Sequence, residues 1–143
     1  MERQTDQFPF RRFDLSEIIQ SFPDTSDTLL LDTYLTDEAS ASSRIFRVYR
    51  PTPPHYHANC DEYLYVLSGT GTFWMGDASN RAEFGPGDFL FFKRGTIHAQ
   101  PDIFEGPVVF LAIDTPRRDP KDIIFVNPGD GTPESFIHKK SKG

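Results

Sequence analysis

Turn-forming residues break this chain so often that no long helix has room to form. Twelve prolines and ten glycines are spread over 143 residues. The links they mark, at 37–43, 76–81, 85–87 and 101–107, leave apolar segments only a strand's length between them. Those segments predict strands at 28–36, 44–50, 62–67, 70–75, 88–93, 96–100 and 108–114, with a last one at 123–126. Seven or eight short strands at spacings of about 8–12 residues predict an all-β sandwich or barrel. One short helix is expected before them, over 14–22, where Leu15, Ile18, Ile19 and Phe22 recur at helical spacing. Asp14 stands as its N-cap with Glu17 three residues on, and Pro23 stops it.

This length suits one domain. We expect an N-terminal arm with the helix at 1–27, a barrel at 28–126, and a partly flexible tail at 127–143 that folds back through Phe136 and Ile137. Fourteen phenylalanines against two methionines and one tryptophan give flat, rigid side chains suited to a pleated sheet. The net charge is −6, and setting aside the terminal Lys139, Lys140 and Lys142 takes it to −9 for residues 1–137. So acidic a body repels phosphate backbones, which argues against nucleic acid as a partner. No run of 18 apolar residues predicts a membrane span. The N-terminus shows no apolar core of a secretory signal. A single cysteine, Cys60, excludes an internal disulfide framework and a multi-thiolate zinc site. Together these predict a cytoplasmic protein.

Four histidines are present, and three stand where metal ligands would. His55 and His57, at i and i+2, share one face of an extended segment that Pro53 and Pro54 favour. Glu62 falls on the same face as Leu64 and Val66, where a lone carboxylate is costly to bury and a cation would remove the cost. His98, after Gly95-Thr-Ile, is placed to join from a neighbouring strand. Three nitrogens and one oxygen suit iron, manganese, nickel, cobalt or zinc better than calcium or magnesium. His138, beside Lys139, reads as an exposed terminal residue.

The run His55-x-His57-x4-Glu62-x6-Gly69 resembles the first motif of the cupin superfamily. Gly87-x7-Gly95-x2-His98 resembles the second. Three positions depart from the pattern: Tyr49 stands where the first motif has its opening Gly, Lys93 where the second has Pro, and Asp102 where it has a closing Asn. The resemblance implies a small jelly-roll barrel, a double-stranded β-helix, holding one divalent transition metal on His55, His57, Glu62 and His98. About two coordination positions would remain open for water, oxygen or substrate. It also implies a wide choice of function, since the superfamily includes dioxygenases, isomerases, epimerases, lyases, decarboxylases, storage proteins and sugar-binding sensors.

Other residues are candidates for the pocket around that ion: Arg47, Tyr49, Cys60, Phe73, Met75 and Phe91. Arg47 would meet an anionic substrate if it points inward. Beside Asp61 and Glu62 the Cys60 thiol is a poor nucleophile. Strand parity leaves either Phe89 and Phe91 or Leu90 and Phe92 facing the cavity. Tyr63 and Tyr65 fall opposite Glu62, on the outer side, where they would suit a symmetric homodimer. The leading expectation is a metal-dependent enzyme acting on a small organic molecule. Phe-rich walls favour an apolar substrate and dioxygenase-like chemistry, with isomerase or lyase chemistry close behind. The alternative is a non-catalytic module that binds or senses a metabolite; no helix-turn-helix segment accompanies it.

Overall fold

A computed structural model of the chain describes residues 9–139, the side chains of 138 and 139 excepted. Lys140 and Lys142 and the side chains of His138 and Lys139, expected to be exposed, lie outside the described residues. The helix forms as α1, Leu15–Gln20, with the Asp14 carboxylate accepting from the Glu17 backbone N–H at 3.1 Å. Nine strands follow: β1 Leu30–Asp37, β2 Ser42–Val48, β3 Thr52–Tyr56, β4 Asp61–Met75, β5 Arg81–Phe84, β6 Phe89–Phe92, β7 His98–Thr115, β8 Ile124–Phe125 and β9 Ile137–Lys139, with a one-turn helix α2 at Pro133–Phe136 just before β9.

Two pairs of expected strands are fused. Segments 62–67 and 70–75 are one fifteen-residue β4, and 96–100 and 108–114 are one eighteen-residue β7. Both long strands bend instead of breaking. The first half of β4 pairs with β6 and with the end of β7; its second half pairs with β5 and with the start of β7. The bend in β4 lies at Gly69, whose φ of +87° favours glycine. A Cβ there would meet the Pro107 carbonyl oxygen at 2.7 Å. This bend lets one sheet, ordered β5-β4-β7-β2-β1-β9 with β3, β6 and β8 branching from it, close on itself as a double-stranded β-helix.

Alternation along the strands sorts the side chains into two layers. Leu64 and Val66 of β4, Leu90 and Phe92 of β6, and Val108, Phe110 and Ala112 of β7 fill the interior with Phe46, Phe84 and Phe136. On the outside of β1, β2 and β7, Leu31, Leu35, Ile45 and Val109 are roofed by Phe22 and the apolar side of α1. The outer face of β4 and β6 has no such roof: Tyr65, Phe89 and Phe91 are exposed. No helix among the described residues is long and apolar enough to cross a membrane.

Candidate metal centre

β3, β4 and β7 converge at one end of the interior. β3 sets His55 opposite His98 across a β-pair, and β4 sets Glu62 opposite Asp114. Before His98, the turn closed by the Thr96 N–H on the Lys93 carbonyl carries Gly95 at its third position with φ +81°, which glycine supplies freely. The turn therefore forms with Lys93 at its first position. Gly95 also donates its N–H to the His57 carbonyl at 2.8 Å, tying both histidine segments together.

His55, His57 and His98 are all buried, and their nearest ring nitrogens lie within 4.8 Å of one another. Each imidazole has its Nδ1 on a backbone carbonyl: His55 on Pro53 at 2.8 Å, His57 on Asp122 at 2.7 Å, His98 on Thr96 at 2.9 Å. A carbonyl can only accept, so each Nδ1 carries the proton and each Nε2 offers a lone pair. Glu62 Oε1 lies 3.5 Å from the Nε2 of His57 and of His98. The Nε2 atoms of His57 and His98 thus face Glu62 Oε1 and a His55 nitrogen completes the three-histidine group, a donor set that suits a cation. Burial, with help from the neighbouring histidines, holds His55 well below its usual protonation range. Burial and the Arg118 charge lower His57 as well. Burial would raise Glu62, yet its interactions with His57 and His98, where a proton at Nε2 is shared when no cation is bound, and the Arg118 charge keep it well below the usual carboxylate range.

The wider charge count agrees. Among the described residues, two buried guanidiniums, Arg44 and Arg118, face four buried carboxylates, Asp32, Glu62, Asp114 and Asp122. Two negative charges are left over, which one divalent ion would balance. Arg44 is the hub, at 3.0 Å from Asp114, 3.2 Å from Glu62 and 3.4 Å from Asp32. Burial would lower its pKa, but those three carboxylates raise it overall. Glu62 therefore divides its oxygens, Oε1 toward the histidines and Oε2 toward Arg44. Phe92 stacks on His98 at 4.1 Å and Phe136 leans on His55 at 4.6 Å, so ring packing fixes both imidazoles.

These residues line a cavity of about 30 Å³ with Leu30, Phe46, Thr52, Leu64 and Gln100. At roughly 10–15 Å³ per water, that admits little more than an ion and its water. None of the six expected pocket residues lines it. Arg47 lies on the outer layer, stacked on Tyr49, and both side chains bind the Pro23 carbonyl. Parity explains this: Arg44, Phe46 and Val48 point inward, so Arg47 and Tyr49 cannot. Phe91 is 42% exposed against Tyr63, which settles the inward pair as Leu90 and Phe92. Phe73 and Met75 pack on the inner core beyond the cavity. Buried Cys60 lies off it too, its thiol pushed up to about 12 by burial. Asp61 faces Arg94 at the surface rather than a histidine.

Sequence reasoning missed Arg44, Arg118, Gln100 and Phe136. Arg44 had a signal: it shares a strand face with Phe46 and Val48, as Glu62 does with Leu64 and Val66. Arg118 comes from an aperiodic loop and had none.

Comparison with known proteins agrees with this geometry. The family model of the cupin domain matches residues 47–114, and over that stretch the chain is similar to the cupin superfamily. An uncharacterized protein of Aquifex aeolicus (strain VF5) is 34% identical over 73 residues, which are 51% of this chain; the match spans 58% of that protein's own length. Among solved structures, a conserved protein with a double-stranded β-helix domain from Klebsiella pneumoniae is similar with TM-score 0.60 and 18% identity, covering 76% of this chain and 91% of that one. The DMSP lyase DddQ of Ruegeria pomeroyi DSS-3 has TM-score 0.55 and 20% identity, covering 68% of this chain and 52% of that one. At such identities the structural likeness speaks for the fold.

Proposed function

We propose that the chain is a metal-dependent enzyme acting on a small polar organic molecule by lyase or isomerase chemistry. The observation that carries this reading is the convergence of three unprotonated imidazole nitrogens and Glu62 Oε1 in one cavity. His55, His57, His98 and Glu62 would hold a divalent transition ion there, which would supply Lewis acidity toward a carbonyl or hydroxyl oxygen. The expectation of oxygen activation rested on Phe-rich walls. Of the phenylalanines only Phe46 and Phe136 line the cavity, with Leu30 and Leu64, and Arg44, Arg118, Glu62, Gln100 and Thr52 offer the polar partners a substrate oxygen needs.

The chain's own groups divide the work. Arg44 orients Glu62 through its Oε2; Phe136 and Phe92 pack on the imidazoles and keep water from their faces. Gln100 Oε1 is buried without a hydrogen-bond partner, an acceptor suited to a substrate hydroxyl. The test is turnover under nitrogen. Metal-loaded protein should consume hydroxy- and keto-substituted sugar acids without oxygen. Oxygen uptake on phenolic substrates with no anaerobic turnover would restore the dioxygenase reading, and a bound ion with no turnover at all would favour a binding module.

A further inference from the structure

A second cavity, of about 190 Å³, lies outside the first and is lined by Asp32 and Tyr34 of β1, by Arg118, Pro120 and Lys121 from the loop after β7, and by Pro133, Glu134 and Ile137 around α2. Arg118 is the one residue lining both cavities. We propose that this outer cavity binds a small organic anion, whose carboxylate is held by the Arg118 guanidinium beside the metal centre. The identification of the anion as a substrate rests on the enzyme reading above; the binding site does not.

Arg118 is 4% exposed, and its Nε has no hydrogen-bond partner. Its Nη1 lies 3.2 and 3.0 Å from the two ring nitrogens of His57. Being almost equidistant from both, it sits against the ring face and leaves the Nε2 lone pair free. Its approach to Glu62, 3.8 Å, is too long for a strong hydrogen bond. A buried guanidinium with spare donors costs free energy until an acceptor arrives, and a carboxylate matches its planar fork.

The loop that presents Arg118 is anchored on both sides. Arg117 pairs with Asp37 at 2.6 Å, and the Asp122 carboxylate accepts the N–H groups of Ala58 and Asn59 at 2.8 and 2.9 Å. The guanidinium is therefore preorganised, which lowers the entropic cost of binding. Of the two acidic side chains on the cavity wall, Asp32 is held on Arg44 and Glu134 stands exposed at the rim opposite exposed Lys121. The volume is below the ~300–1,000 Å³ of drug-sized sites, so the guest is metabolite-sized. The inner cavity is too small for the whole of such a guest, so its body sits in the outer one with Arg118 at the join, and only one end enters toward the ion side.

The experiment is calorimetric titration of metal-loaded protein with malonate, succinate, inorganic phosphate and the neutral diamide of succinate. We expect saturable binding of a dicarboxylate, weaker phosphate binding and none of the diamide. Arg118→Gln should weaken the dicarboxylate about tenfold or more, with part of the loss restored in Arg118→Lys. Glu134→Lys, at the exposed rim, should tighten it by roughly threefold and keeps the test open if Arg118 variants fold poorly. Failure of every anion to bind, binding as tight by the diamide, or wild-type affinity in both Arg118→Gln and Glu134→Lys would overturn the proposal. Phosphate binding tighter than either dicarboxylate would overturn the carboxylate assignment. Anion binding to protein that elemental analysis shows cannot take a metal would leave this site standing and remove the enzyme reading; a full complement of metal with no anion binding would do the reverse.

Discussion

Two clusters of buried polar side chains share one end of the barrel and are balanced in opposite ways. Around Arg44, one guanidinium meets Asp32, Glu62 and Asp114, so each carboxylate has a cationic partner within the protein. Around His55, His57 and His98, every Nδ1 proton is committed to a carbonyl, and the remaining groups are all acceptors. The first cluster is held by a cation of the chain itself and serves the fold; the second needs a cation from outside and serves function. Glu62 belongs to both, so the structural cluster orients the functional one.

The largest effect should come from breaking the self-sufficient cluster. Arg44→Met leaves three buried carboxylates without their cation and should cost about 3–5 kcal/mol in urea unfolding; added metal should not restore it. The histidine cluster should behave the other way. Stripping the ion with a chelator should lower stability by about 4 kcal/mol relative to protein at free metal a thousandfold above Kd. His57→Ala should abolish that metal-dependent increment while the apo variant still folds, as circular dichroism against added metal will show.

Acid should separate the clusters next. His55 and His57 are held below their ordinary value of 6.5, so between that pH and their folded values the unfolded chain binds more protons. Their contribution is complete above about pH 6.5 and declines below it. Glu62, held below its ordinary 4.5, adds stability that is complete above that value and lost as pH falls through its folded one. Denaturation midpoints should thus hold steady near neutrality, then fall first below about pH 6.5, with metal release alongside because protons compete for Nε2. A midpoint unchanged down to pH 4.5 would show that the histidines are not buried neutral. The smallest effect belongs to the exposed face of β4 and β6: Tyr65→Ser or Phe89→Ser should change stability by no more than about 0.5 kcal/mol.

The same contrast explains what could be read from the amino-acid order. Strand alternation and turn residues are local, so the all-β class, the α1 cap and the histidine set at 55, 57 and 98 were legible. The fusion of 62–67 with 70–75 was not, because Gly69 reads as a break and becomes a bend only when Val108 packs beneath it. Positions 52–56 were legible as extended but not as a paired strand, and 81–84 escaped because the short run after Gly76 looks like loop; their pairing is supplied by β7 and β4. Pocket membership failed for a similar reason. Proximity in sequence to the ligands selected Tyr49, Cys60 and Phe91, whereas the walls are assembled from Arg44, Gln100, Arg118 and Phe136, brought together only by closure of the barrel.

The most direct test of the metal centre is elemental analysis of the wild-type chain and His57→Ala after loading with Fe(II), Mn(II), Co(II), Ni(II) or Zn(II) and exhaustive dialysis. The account predicts about one retained transition ion per wild-type chain and almost none in the variant. A folded wild-type chain that retains no ion, or a variant that retains as much as wild type, would contradict it.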